Sequence, residues 1–129
     1  MFVAEGINDS KGIGSPQTPK TPLENFRQNI RKLIEMGKKY TKTLIFMGPT
    51  PINENKTAPT GDNYFLNSNI KKYNNVIKDI CKKENITFVE LLTDWDKVDY
   101  KNFLLVDGIH PNKTGHQKIF EKVKCLIND

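Results

Sequence analysis

Asp107 and His110 stand three residues apart in Asp107-Gly108-Ile109-His110-Pro111, directly after the apolar run Phe103-Leu104-Leu105-Val106. His110 is one of two histidines in the chain. A carboxylate that accepts a hydrogen bond from one ring nitrogen fixes the imidazole tautomer. The other nitrogen is then left to take a proton from a nucleophile. Such a pair is half of a hydrolytic triad, and it needs a nucleophile and an oxyanion-binding group from elsewhere. The plain alternative is that Asp107-Gly108 is a turn and His110-Pro111 the way out of it.

The elements that must position this pair follow from apolar spacing. Phe2-Val3-Ala4 reads as a short buried strand leading into Glu5-Gly6-Ile7-Asn8-Asp9-Ser10. Lys11 to Lys20, rich in Gly, Ser and Pro, reads as a loop. Thr21 and Glu24 form a capping-box pattern around Pro22, and Leu23, Phe26, Ile30, Leu33 and Ile34 recur at helical spacing until Gly37, which is expected to end the helix. Thr43 to Met47 is a continuous apolar strand, to be covered on both faces. Gly48 to Asp62 is expected as a loop that shapes a substrate pocket. A second helix, from about Tyr64 to Glu84, buries Leu66, Ile70, Tyr73, Ile77, Ile80 and Cys81. Ile86 to Leu91 is a third strand, Asp94 to Asn102 a charged and aromatic loop with a short helical turn, and Lys113 to Ile127 a last helix burying Ile119, Phe120, Val123, Leu126 and Ile127. Strand and helix alternate, so the fold class is α/β, with a parallel sheet and right-handed crossovers. Functional loops of such sheets sit at the carboxyl ends of the strands. Asn8 and Asp9, the segment after Gly48, and the Asp107–His110 loop can therefore share one rim.

Composition narrows the function classes. The chain has 129 residues, enough for one core. Its net charge of +5 is carried almost entirely by lysines scattered as singles and pairs, without a basic stripe. That pattern solvates helix faces and argues against a nucleic-acid partner. No apolar run is long enough for a membrane span. Cys81 and Cys125 lack metal-site spacing and fall on apolar helix faces, so both are expected as buried thiols. With no histidine or cysteine ligand set, no metal and no cofactor are expected.

Gly6-Ile7-Asn8-Asp9 and Asp107-Gly108-Ile109-His110-Pro111, with Asn112-Lys113-Thr114-Gly115-His116 behind them, resemble two sequence blocks of the GDSL, or SGNH, ester hydrolases. The likeness covers nearly the whole chain in element order. It implies a three-layer α/β/α, flavodoxin-like fold and serine ester hydrolysis of a small acyl ester without a cofactor. It implies His110 as general base and acid, Asp107 as its orienting carboxylate, and Asn8 as the oxyanion-hole donor. Asparagine suits that task, being a neutral donor for a charge that develops only during reaction. Read alone, Asn8 and Asp9 would more simply make an Asx-turn. Gly6, Asp9, Pro49 and Thr50 are further candidates for the substrate loop. Trp95 and Tyr100 are expected at a core edge, and His116 as structural.

The family's nucleophile is a serine in a Gly-Asp-Ser block ahead of the Gly-x-Asn-Asp block. Here five residues precede Gly6, and Gly61-Asp62-Asn63 has asparagine in the serine's place and falls late in the chain. Ser10, Ser15 and Ser68 lie after the Asn-Asp pair, in a flexible loop and in a helix. None is on a strand-to-helix elbow. The expectation is one domain over residues 1–129, N-terminally truncated by two strand–helix units of about 30 residues each. This chain alone should be nearly inactive, with self-association or pairing through the open Phe2–Ala4 edge. A cytoplasmic location is expected, with an export signal left open by the truncation.

Overall fold

In the computed structural model, residues 1–127 are described; the side chain of Ile127, expected on the last helix's apolar face, lies outside the described part. A parallel sheet is built from β1 (Phe2–Ala4), β3 (Ile45–Met47) and β5 (Thr87–Val89), in the order β1-β3-β5. Its register pairs Phe2 with Ile45 and Thr87, Val3 with Phe46 and Phe88, and Ala4 with Met47 and Val89. Side chains alternate between the two faces. Val3, Phe46 and Phe88 therefore meet α2 (Leu23–Tyr40) and α4 (Asn67–Lys83), which contribute Phe26, Ile30, Ile34, Tyr73, Ile77 and Ile80. Ile45, Met47 and Val89 face α6 (Lys113–Ile127) through Val123 and Ile119. Three layers result, as the alternation of elements requires.

Several boundaries differ from the sequence reading, each for a local reason. Helix α2 continues through Gly37 to Tyr40, because Gly37 packs beneath Leu44. The Thr21–Glu24 capping box does not form. Thr21 Oγ1 donates to Asp9 Oδ1 at 2.8 Å, and Glu24 pairs with Arg27 at 3.4 Å. The 11–20 segment is not all loop: β2 (Gly12–Ile13) pairs antiparallel with β4 (Asn63–Tyr64), which also delays α4 to Asn67. Within 48–62 lies α3 (Glu54–Thr57), whose N-cap is Asn53, its side chain accepting from the Asn55 N–H. The short helical turn expected within 94–102 is present, as α5 (Leu92–Asp96), which starts two residues earlier, and a 3-10 turn over Tyr100–Phe103.

Cys81 is fully buried, and burial pushes its thiol up to about 11, so it is not a poised nucleophile. Cys125, expected to be buried, is exposed, as are Phe120 and Leu126. Helix α6 contacts the sheet along a narrower stripe than its apolar pattern suggests. Trp95 is buried edge-on against Phe103, with ring centroids 5.2 Å apart, at the core edge as expected. Among the described residues no helix is long and apolar enough to cross a membrane.

Candidate active site

The 107–110 segment is a closed turn. Leu104 and Pro111 form a β-bridge, the Leu105 N–H donates to the His110 carbonyl at 2.8 Å, and Gly108 adopts a φ of 73° that favours glycine. A side chain at Gly108 would also approach Asn53 and Lys56 of the neighbouring loop. That loop holds the turn from below: the Asn53 N–H donates to the Gly108 carbonyl at 2.8 Å, and Lys56 Nζ to the Val106 carbonyl at 3.2 Å. Behind the turn, Asn112 caps α6 by accepting from the Gly115 N–H at 2.9 Å.

Within this frame Asp107 works with both oxygens. Oδ1 accepts the backbone N–H groups of Ile109 and His110, at 2.8 and 3.0 Å, and Oδ2 lies 2.6 Å from His110 Nδ1. The carboxylate thus fixes the ring through Nδ1 and leaves Nε2 on an imidazole whose side chain is 70% exposed. The His110 hydrogen bond, and then the two backbone donors, hold the Asp107 carboxyl down at about 2, against an ordinary value of 3.8. A carboxyl depressed in the folded state stabilises the fold above its unfolded value, and that contribution disappears as pH falls from about 4 to about 2. In Asp107→Asn, the acid-unfolding curve is expected to lose this part of its pH dependence. A carboxyl carbon at Asp107 that titrates near 4 by NMR would contradict it.

Asn8 lies in α1 (Ile7–Ser10), a single turn entered from Gly6 at φ 123°, another conformation that favours glycine. Among the described residues nothing hydrogen-bonds the Asn8 side chain, which is exposed and lines a cavity of about 260 Å³ at the carboxyl ends of β1 and β3. Gly6, Pro49 and Thr50 line the same cavity, and its far wall is Pro111, next to His110. Asp107 and the His110 ring are not among the lining residues, so His110 stands at the mouth rather than within. The two blocks are tied from beneath: Ile7 and Ile109, the neighbours of Asn8 and His110, pack on one buried cluster of Ile52, Phe65, Ile70 and Leu92. Asp9 is turned away from this cavity, toward Thr21 and a groove along α2.

Among the described residues Thr50 is the one hydroxyl on the cavity wall. Ser10 is buried and donates to the Ile7 carbonyl at 2.9 Å. Ser15 is bonded within its own loop, and Ser68 lines a separate cavity. His116 sits in the first turn of α6, its N–H donating to the Asn112 carbonyl. No group of metal-ligating side chains is present among the described residues.

Two supporting residues escaped sequence reasoning. Asn67 grips the Ile52 backbone from both sides, accepting its N–H at 2.8 Å and donating to its carbonyl at 2.9 Å, and the Tyr100 hydroxyl donates to the same carbonyl at 3.0 Å. An asparagine at a helix start reads as a cap, so nothing in the spacing points to this clamp. Asn74, buried in α4, donates to Glu90 at 3.3 Å and presses its unpartnered Oδ1 against Gly48. A β-carbon at Gly48 would fall 2.4 Å from that oxygen and 2.8 Å from Phe88 Cζ. Gly48→Ala is expected to lower stability by about 1–3 kcal/mol, read as a fall in unfolding midpoint. An unchanged midpoint would show that the strand end can yield.

The model of the GDSL-like lipase/acylhydrolase family matches residues 1–118. The chain belongs to that family. It is 30% identical to the isoamyl acetate-hydrolyzing esterase of Saccharomyces cerevisiae, over 95% of this chain and 53% of that protein. Among solved structures, the lipase/acylhydrolase from Enterococcus faecalis superposes with a TM-score of 0.79 at 16% identity, covering 98% of this chain and 59% of that one. The acetylxylan esterase from Geobacillus stearothermophilus gives a TM-score of 0.69 at 24% identity, covering 95% and 57%. These likenesses show the fold. The chain spans little more than half the length of the relatives it matches.

Proposed function

We propose that this chain supplies the acid–base pair and one oxyanion donor of a serine-type ester hydrolase acting on small acyl esters. The observation that carries the reading is the 2.6 Å contact between Asp107 Oδ2 and His110 Nδ1, which leaves Nε2 accessible beside a cavity that Asn8 lines. In this reading Nε2 takes the proton of an attacking hydroxyl, and that oxygen adds to the ester carbonyl. Asn8 Nδ2 donates to the developing oxyanion, and Nε2 then returns the proton to the leaving alcohol; water repeats the sequence on the acyl intermediate. Family membership and the name of the yeast relative support the reaction class. The attacking hydroxyl comes from outside residues 1–129, which form one domain short of the strand–helix units that would carry it. The reaction needs no metal or cofactor.

A chimera tests this: the part of the yeast esterase that lies outside the match, fused ahead of Met1. Turnover of a short-chain aryl ester is expected to appear and to vanish in His110→Ala. In the same chimera Asn8→Ala is expected to lower kcat by about 10²–10³-fold with little change in KM, as loss of an oxyanion donor does. A folded chimera without turnover would sink the hydrolase reading. It would favour the alternative, a non-catalytic assembly module, which the exposed apolar Phe2 and Phe120 make worth naming.

A further inference from the structure

Asn8 stands on a turn with open space around it. Gly6, Ile7 and Asn8 line the cavity of about 260 Å³, Ser10 lines a separate cavity of about 520 Å³, and Asp9 lines the groove of about 370 Å³ along α2. Packing grips the turn at two places. Ile7 rests on the Ile52 cluster, and a β-carbon at Gly6 would lie 3.7 Å from Ile77 Cδ1 of α4. Its own hydrogen bonds are few: the Ser10 N–H donates to the Gly6 carbonyl at 3.0 Å, and the Ser10 hydroxyl to the Ile7 carbonyl at 2.9 Å. A single helical turn is marginal by itself, because ordering it fixes several dihedrals for one backbone bond.

Further restraint reaches the turn through Asp9. Thr21 donates to it twice, Oγ1 to Oδ1 at 2.8 Å and the backbone N–H to the Asp9 carbonyl at 3.1 Å. Hydrogen bonds to a carboxylate are stronger than those between neutral groups. The Thr21 carbonyl in turn accepts the Tyr73 hydroxyl at 2.5 Å. Tyr73 is buried in α4, its ring centroid 4.9 Å from that of Phe26 in α2. Burial first, and then the charge of Asp9, push the Tyr73 hydroxyl above its ordinary value, so it keeps its proton and stays a donor. An unbroken series of bonds thus runs from the α2/α4 core to the residue beside Asn8.

We propose that Thr21 and Tyr73 are positioning residues for the oxyanion donor, acting through Asp9 to hold the Asn8 turn at the wall of its cavity. The proposal rests on the proposed function for what Asn8 does; the restraint on the turn stands or falls separately. An oxyanion donor acts only when it lies about 2.7–3.1 Å from the oxygen it stabilises. The Asn8 side chain is exposed, so its reach is set by where the turn stands. The Thr21 hydroxyl, which the sequence pattern offers to α2 as a cap, serves this turn instead.

Two variants test it. Thr21→Val removes the hydroxyl and keeps the backbone bond; Tyr73→Phe removes the hydroxyl and keeps the ring. Hydrogen exchange in this chain reads the turn at the Ser10 amide and the sheet at the Gly48 amide, which donates to the Val89 carbonyl at 2.9 Å. Both variants are expected to speed exchange at Ser10 at least ~10-fold relative to Gly48, and Thr21→Ser to leave it as it is. Equal changes at the two amides, the mark of a general loss of stability, would overturn the proposal, as would an unmoved Ser10. In the chimera both variants are expected to lower kcat about 10-fold with KM held, a part of what losing the donor costs, and to cost nothing further where Asn8→Ala is already present. A loss that persists in full beside Asn8→Ala would show that Thr21 and Tyr73 do not act through the oxyanion donor, and would overturn their role. No turnover in any chimera would sink the hydrolase reading, while faster exchange at Ser10 would still uphold the restraint on the turn.

Discussion

Incubated with a short-chain aryl ester, this chain alone is expected to turn over roughly 10⁶-fold more slowly than the single-chain chimera, the order of loss seen when a triad serine is removed from a well-studied protease. The reason is spatial as well as compositional. Asp107 and His110 hold a working geometry, 2.6 Å apart, but a base accelerates nothing without a hydroxyl to deprotonate. Ser10 is buried and bonded, Ser15 is in the 11–20 segment, and Ser68 opens on another cavity. Thr50 lines the right cavity but is 95% buried. Turnover by purified chain that survives in Ser10→Ala and Ser68→Ala and disappears in Thr50→Val would assign the nucleophile to Thr50. Turnover lost in His110→Ala alone would equally contradict the inactivity. Background rates in the chain and in all four variants are the expected result.

The parallel sheet was legible because apolar runs at Thr43–Met47 and Ile86–Leu91 alternate with helical spacing at Leu23–Ile34 and Leu66–Cys81. Burial imposes those periods directly. The Asp107–His110 contact was legible because both partners lie in one tight turn, where three residues of separation fix the geometry. The Asn67 clamp on Ile52 and the Asn74 contact under Gly48 were not, since each joins segments whose approach depends on the folded path. Short β2 and β4 were hidden for a related reason. Two residues have no period, and their pairing exists only because the 11–20 and 60–64 segments meet. The exposed Phe120 and Cys125 reveal a different limit. An apolar helix stripe says that a face wants cover, and not that this chain provides it.

Ile52→Ala is expected to cost about 2–5 kcal/mol of stability, with the larger part of its functional effect at the site rather than in the sheet. Ile52 is fully buried in the cluster that receives Ile7 from the Asn8 turn and Ile109 from the His110 turn. Its backbone is held by Asn67 and Tyr100, so the segment cannot follow a shrinking side chain and a cavity remains. With the common floor removed, the two turns lose their shared reference, and a displacement of about 1 Å between catalytic groups is enough to cost on the order of 10²-fold in rate. Phe46→Ala, at an equally buried position under α2 and α4, should destabilise by about 3–5 kcal/mol through the sheet core, without this local effect. The pair separates the two contributions. In the chimera, assayed well below both unfolding midpoints, Ile52→Ala should lower kcat far more than Phe46→Ala does. Equal losses would mean that the floor beneath Asn8 and His110 does not set their relative placement.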